Sequence, residues 1–239
     1  MNNTMKYQLF LLHFAGGSTY SFDFIKKHIN SDIEFIPLEL PGRGKRCNEK
    51  LLKTKRETIL DYFNQIKALR NDKPYIIYGH SMGATLGLSV VEKMENSNDA
   101  PSALIVSGNP GPGVYKEDKT IRYLLDDIEF KIVLKELGGI PDEVLDNDEL
   151  YEFFSPIIRA DFETLENDNF SEKGIVINTP LYAMMGDEEE TSDRIENWKN
   201  FTNDDFQYKI LKGNHFFIYE HTAELVKVFE HYSDNLIVK

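Results

Sequence analysis

Apolar residues fall along this chain in two alternating patterns. Short runs rich in β-branched and aromatic side chains recur at Tyr7–Phe14, Glu34–Leu38, Tyr75–Gly79, Ala103–Ser107, Leu181–Met185 and Phe206–Leu211. Between them lie longer segments of helical period, at Ser21–Ile29, Thr54–Leu69, Ala84–Met94 and Thr222–Tyr232. In the second of these, Ile59, Tyr62, Phe63, Ile66 and Leu69 recur three and four apart, which gathers them on one face for packing against a sheet. Strand-length runs alternating with helices predict an α/β chain, a mostly parallel central sheet flanked by helices.

One stretch breaks the alternation. From about Tyr115 to Asn178 the pattern predicts several short helices and no strand, rich in apolar side chains: Tyr123, Leu124, Leu125, Phe130, Ile132, Leu134, Leu137, then Tyr151, Phe153, Phe154 and Phe162. Gly138-Gly139-Ile140-Pro141 punctuates it as a turn before a new helix. The expected organisation is therefore a core of residues 1–114 and 179–239 with a helical insertion at 115–178.

Composition narrows the class. A chain of 239 residues with 41% hydrophobic content suits one large domain with a substantial core. No apolar run approaches the ~20 residues of a membrane helix, and Leu9–Leu12 near the start is strand-sized rather than a secretory signal. The one cysteine, Cys47, sits in the charged loop Lys45-Arg46-Cys47-Asn48 and reads as an incidental thiol. A single thiol fits a reducing, cytoplasmic setting. The net charge of −13 argues against nucleic acid as a partner, since phosphate binding needs a basic face. Acidity concentrates at Asp146-Asn147-Asp148-Glu149 and Asp187-Glu188-Glu189-Glu190, whereas cations cluster between Arg43 and Arg56. That local patch could receive an acidic partner.

The chemistry enters at Gly79-His80-Ser81-Met82-Gly83. Gly-x-Ser-x-Gly between an apolar strand and a helix fits a nucleophile elbow, in which bulky neighbours of the serine would strike the adjacent strand and helix. A serine hydroxyl needs a base, and the base an orienting acid. In chain order the acid and then the histidine follow the serine. Of the histidines beyond the acidic cluster, His221 and His231 lie in a helical segment with solvent exposure expected, whereas His215 sits in the loop after the strand Phe206–Leu211. His215 is the expected base. The strand Leu181–Met185 ends at Gly186 and the acidic cluster, where Asp187 is the expected acid, its short side chain suiting a rigid strand end. Glu188 and Glu189 remain alternatives. The oxyanion hole is expected from the Met82 N–H and the Ala15 N–H, the latter in the loop His13-Phe14-Ala15-Gly16-Gly17-Ser18. An insertion after the fourth strand is a frequent place for a hydrolase lid, whose apolar underside would hold a greasy substrate. No phosphate loop, dinucleotide fingerprint or clustered metal-ligand motif occurs, so no cofactor is expected.

Together, His13-Phe14-Ala15-Gly16-Gly17, Leu40-Pro41-Gly42-Arg43-Gly44, the elbow, Leu137-Gly138-Gly139-Ile140-Pro141, Arg159-Ala160-Asp161 and Gly213-Asn214-His215-Phe216 resemble the type II thioesterases that accompany nonribosomal peptide and polyketide synthases. The resemblance implies an α/β-hydrolase fold with a helical lid. It implies removal of acyl groups from the phosphopantetheine arm of acyl or peptidyl carrier protein domains through an acyl-serine, by a monomer. One departure bears on the acid. The family carries an aspartate about three residues beyond the glycine ending this strand, here Glu189, and aligning on Trp198 lands on Glu188. A shortened loop would bring Asp187 into the role. Arg43 and Arg46, in a loop expected to frame the entrance, offer positive charge to the arm's phosphate or to acidic carrier residues. Arg43 serves equally to bind neighbouring loop carbonyls. Two other readings stand beside this one: an esterase of small free esters, and a non-catalytic scaffold.

Overall fold

Six strand-length runs become the strands of one sheet whose central members are buried on both faces, while the last, Phe206–Leu211, is largely exposed. The computed structural model describes residues 6–114, 120–167 and 171–234. The strands are β1 (Tyr7–Leu12), β2 (Ile33–Pro37), β3 (Tyr75–His80), β4 (Ala103–Ser107), β5 (Leu181–Gly186) and β6 (Phe206–Leu211). They pair in the order β2-β1-β3-β4-β5-β6, every pairing parallel. Alternate residues of a strand point to opposite faces. Phe10, Leu12, Tyr75, Ile77, Leu104 and Val106 accordingly join one core cluster, and Leu9, Leu11, Ile76, Tyr78, Ala103 and Ile105 the other. Continuous apolar runs, rather than in-out alternation, are what a parallel sheet covered on both sides requires.

Helices supply the covers. The first face packs against α2 (Lys55–Leu69) and α3 (Met82–Asn96) through Tyr62, Leu86 and Val90, and the second against α1 (Asp23–Lys26) and α7 (Thr222–Asp234) through Ile25, Leu225 and Phe229. The helix expected over Ser21–Ile29 is shorter and begins as a tight turn at Thr19–Phe22, where Ser18 caps it and Ser21 completes a capping box. A tighter helix over Ser192–Phe201 buries Ile195, Trp198 and Phe201. Their spacing of three is the period of a 3₁₀ rather than an α-helix.

Between β4 and β5 the described residues form α4 (Asp127–Leu137), α5 (Asp142–Leu145) and α6 (Asp148–Glu166), with no strand. Tyr115, where the insertion is expected to begin, lies outside the described residues. Side chains cap α4 and α6 at their starts: Asp126 accepts from the Glu129 amide and Asn147 from the Leu150 amide. Phe130, Leu134, Leu145, Tyr151, Ile158 and Phe162 form a cluster of their own. Much of the apolar content expected on a substrate-facing underside is therefore the insertion's internal packing. Leu124, Ile128, Ile132 and Phe153 stay exposed.

Candidate active site

All the strands run the same way, so the loops after β1, β3, β5 and β6 leave the sheet at one end, where α/β sheets gather their functional groups. Ser81 follows β3 with φ of 55°, a conformation a non-glycine residue seldom adopts. The flanking glycines permit the turn by closeness. A Cβ on Gly79 would lie 2.1 Å from the Gly83 carbonyl oxygen, and one on Gly83 would lie 2.1 Å from that of Leu12 on β1. Any side chain there would push strand and helix apart.

His215 stands in the loop after β6, and its Nε2 lies 2.9 Å from Ser81 Oγ. Its Nδ1 lies 2.7 Å from an oxygen of Glu189. Asp187, the acid expected from sequence, is placed elsewhere: its carboxylate accepts the Gly213 N–H at 2.8 Å. The turn after β5 explains the exchange. Asp187 continues the ladder by donating its N–H to the Leu211 carbonyl, so its side chain leaves toward the neighbouring loop. The chain then folds back, the Glu189 N–H donating to the Gly186 carbonyl and the second Glu189 oxygen accepting the Gly186 N–H at 2.9 Å. Glu189 is thus locked by its own turn and aimed at the imidazole. Glu188 is exposed.

His80 packs beside His215, ring centroids 5.1 Å apart. Its Nδ1 faces the Ser107 hydroxyl at 2.8 Å, which meets the Tyr78 hydroxyl at 2.7 Å. Burial, and then the nearness of His215, holds the His80 imidazole well below the usual histidine range. A neutral His80 leaves room for positive charge on His215, which two adjacent imidazoliums would forbid. Phe216 continues the layer, its ring 4.9 Å from Phe14 and 5.3 Å from His80.

The loop after β1 carries Ala15. Neither the Ala15 nor the Met82 N–H has a hydrogen-bond partner among the described residues, so both remain free for an oxyanion. The Gly16 N–H is taken by Asp161 of α6 at 2.8 Å. Asp161 also grips Arg43 through both oxygens, at 2.6 and 2.7 Å, and Arg43 donates to the Gly17 carbonyl. Three motifs far apart in sequence thus meet in one buried knot behind the loop. Burial, with Arg43 nearby, pushes the neighbouring His13 down to about 4.

These contacts correct the expected docking role of the two arginines. Arg43 is buried against Asp161, and Arg46 is bound by Glu49, Asp61 and the Glu39 carbonyl. Neither guanidinium is free for a partner. Sequence reasoning missed the Arg43–Asp161 pairing and the packing of His80 on His215. The first had a signal: charged residues inside motifs otherwise apolar are buried only with an opposite charge. His221 Nε2–H donates to the Lys212 carbonyl at 2.7 Å, and His231 is exposed; neither reaches the serine. Cys47 is exposed and free.

Comparison with known proteins adds to this geometry. Residues 7–236 match the thioesterase domain family. Gramicidin S biosynthesis protein GrsT of Aneurinibacillus migulanus is 30% identical over 232 residues, covering 95% of this chain and 89% of its own. The solved structure of ClbQ from the colibactin NRPS/PKS pathway superposes with a TM-score of 0.89 at 27% identity, over 98% of this chain and 99% of that one. The type II thioesterase BorB from the borrelidin biosynthetic cluster gives 0.85 at 27% identity, over 95% and 92%.

Proposed function

This chain belongs to the thioesterase family and is a hydrolase, and on that premise we propose that it removes acyl groups from the phosphopantetheine arm of carrier proteins in nonribosomal peptide or polyketide synthesis. The relatives support this reading: GrsT is named for gramicidin S biosynthesis, ClbQ for a mixed synthase pathway and BorB as a type II thioesterase. The observation that carries it is the chain of contacts from Glu189 through His215 to Ser81.

In this reading the Ser81 hydroxyl donates to His215 Nε2, while Nδ1–H donates to Glu189 and fixes the tautomer. Attack of Oγ on the thioester carbonyl passes the serine proton to Nε2. The Ala15 and Met82 amides receive the developing oxyanion, and Glu189 stabilises the imidazolium. The C–S bond then breaks, and the departing thiolate takes the proton from Nε2, leaving as the thiol and returning His215 to its neutral form. A thiolate, with a reference pKa of about 8.5, leaves far more readily than an alkoxide, so the acyl-enzyme forms with little demand on His215 as an acid. Water, its proton taken by Nε2, attacks the acyl-serine, and collapse releases the carboxylic acid and restores Ser81.

The helices between β4 and β5 serve as the lid. Their Gly138-Gly139 turn rests on Phe216, next to His215. With Arg43 and Arg46 occupied, the cations of the same segment that make no ion pair or hydrogen bond among the described residues are Lys45, Lys50 and Arg56. They are the groups offered to an acidic carrier surface. No helix of the described residues is long and apolar enough to cross a membrane, and we place the reaction in the cytoplasm.

The test compares one acyl group on a carrier protein and on a simple alkyl alcohol, after mapping a fluorophosphonate adduct. Preferred hydrolysis of the carrier thioester, with the adduct on Ser81, is expected. Preference for the alkyl ester would replace this reading with a small-ester hydrolase.

A further inference from the structure

The buried knot behind the Ala15 loop has no part in the chemistry above, yet it touches the backbone that the chemistry needs. Two peptide planes flank the Ala15 α-carbon. The first, Phe14–Ala15, is held by its carbonyl, which accepts the Gly17 N–H at 2.9 Å and faces His13 Nδ1 at 2.8 Å. In a trans peptide the N–H points opposite to the carbonyl, so fixing the Phe14 oxygen aims the Ala15 N–H. The second plane, Ala15–Gly16, is held among the described residues at the Gly16 N–H, by Asp161. Arg43 then steadies Asp161 through two hydrogen bonds and reaches on to the Gly17 carbonyl at 3.1 Å.

Asp161 belongs to α6, inside the insertion, not to the core that carries Ser81. The insertion also presses on the loop directly. A Cβ on Gly16 would lie 3.0 Å from Ile158 of α6 and 3.3 Å from Ile140 of the Gly-Gly turn. The insertion thus both packs on the loop and hydrogen-bonds it.

Stability alone gives little reason for such a pair. The desolvation of two buried charges largely cancels their attraction, and well-packed apolar residues often do as well. What apolar residues cannot do is accept the Gly16 N–H with the directionality of a charge-assisted bond.

We propose that Arg43 and Asp161 are positioning residues of the oxyanion hole, through which the seated insertion completes the catalytic site. The proposal rests on the hydrolase reading above but not on the identity of the leaving group. With α6 lifted, the Gly16 N–H loses its acceptor and Ala15 is held from the Phe14 side alone, so the serine–histidine pair keeps its geometry while the Ala15 donor to the oxyanion loosens. The lid then does more than cover substrate: it switches the site on.

The test uses Arg43→Lys, Asp161→Asn and the paired Arg43→Met/Asp161→Leu, which leaves no unmatched charge. Each is measured for thermal stability, kcat and KM on a small acyl thioester, and inhibition by an alkyl boronic acid, which forms a tetrahedral anion on Ser81. Loss of one oxyanion donor costs about 10²–10³ in kcat, and misorientation somewhat less. We expect kcat to fall about 10- to 100-fold with KM within about threefold, and the boronic acid to weaken by a similar factor. Arg43→Lys keeps the charge balance and reads the same ratio should the paired variant fail to fold. A folded variant with boronic acid affinity and kcat within about twofold of the parent overturns the proposal, as does a change confined to melting temperature or to KM. Failure of the carrier assay with these ratios intact would count against the carrier reading alone.

Discussion

At the end of β5 four acidic residues compete for one imidazole, and the backbone decides between them. Side-chain length pointed to Asp187, because a short carboxylate suits a rigid strand end. The ladder runs one residue past the strand and turns that side chain toward Gly213, while the tight turn brings Glu189 back. Hydrogen bonds of a turn are invisible in residue types, whereas the meeting of Ser81 and His215 was legible because chain order and strand position constrain it. Glu189→Gln should lower kcat by about 10³–10⁴, since the amide favours the wrong imidazole tautomer. Asp187→Asn retains an oxygen for the Gly213 N–H and should stay within about tenfold of the parent. Single-turnover rates on the two variants check this, and the reverse order would restore Asp187 as the acid.

At the scale of elements, the four central strands were legible because a doubly covered parallel strand is an apolar run, while the edge strands β2 and β6 were legible only by their length and their β-branched and aromatic residues. The Ser192–Phe201 helix escaped notice, its buried residues falling at threes instead of the alternating threes and fours of an α-helix. The insertion was legible as helices but not as a packed unit, since apolar residues look alike whether they face substrate or one another. Its glycine turn supports a direct test. Gly139 has φ of +82° and a Cβ there would lie 2.0 Å from the Phe216 ring, while Gly174 has φ of +88° with nothing within 4 Å. Both substitutions to alanine carry the backbone strain of about 1 kcal/mol or more. Only Gly139→Ala also displaces Phe216 beside His215. It should lower the melting temperature further than Gly174→Ala and reduce kcat, which Gly174→Ala leaves alone. Equal effects in melting and steady-state assays would detach the turn from the site.

For the whole molecule, buried histidines make stability depend on pH. His13, fully buried, has its folded value depressed to about 4 from an ordinary 6.5, by burial first and then by Arg43. Below 6.5 the unfolded chain binds a proton that the folded chain refuses, so stability present above 6.5 is lost as pH falls toward 4. The loss reaches about 3 kcal/mol from this residue at the lower end. His80, depressed in the same direction, steepens it. Urea unfolding between pH 7 and 4 should show this slope, and His13→Gln should flatten it; an unchanged slope in a folded variant refutes the assignment. Neither this coupling nor the Arg43–Asp161 pair, 118 positions apart, lay within reach of local pattern.

The common direction of the strands has a practical side. Because Ser81 and the loops around it leave the sheet at one end, the turns that enter β3, β4 and β6 lie at the other, where Asp72, Asn98 and Asp204 are exposed. The six steps from Tyr75 to Ser81 along an extended strand span about 20 Å. A single Asp72→Cys anchor, with the exposed Cys47 changed to serine, would fasten the protein to a bead or sensor chip facing outward, its serine turned toward the flowing solution.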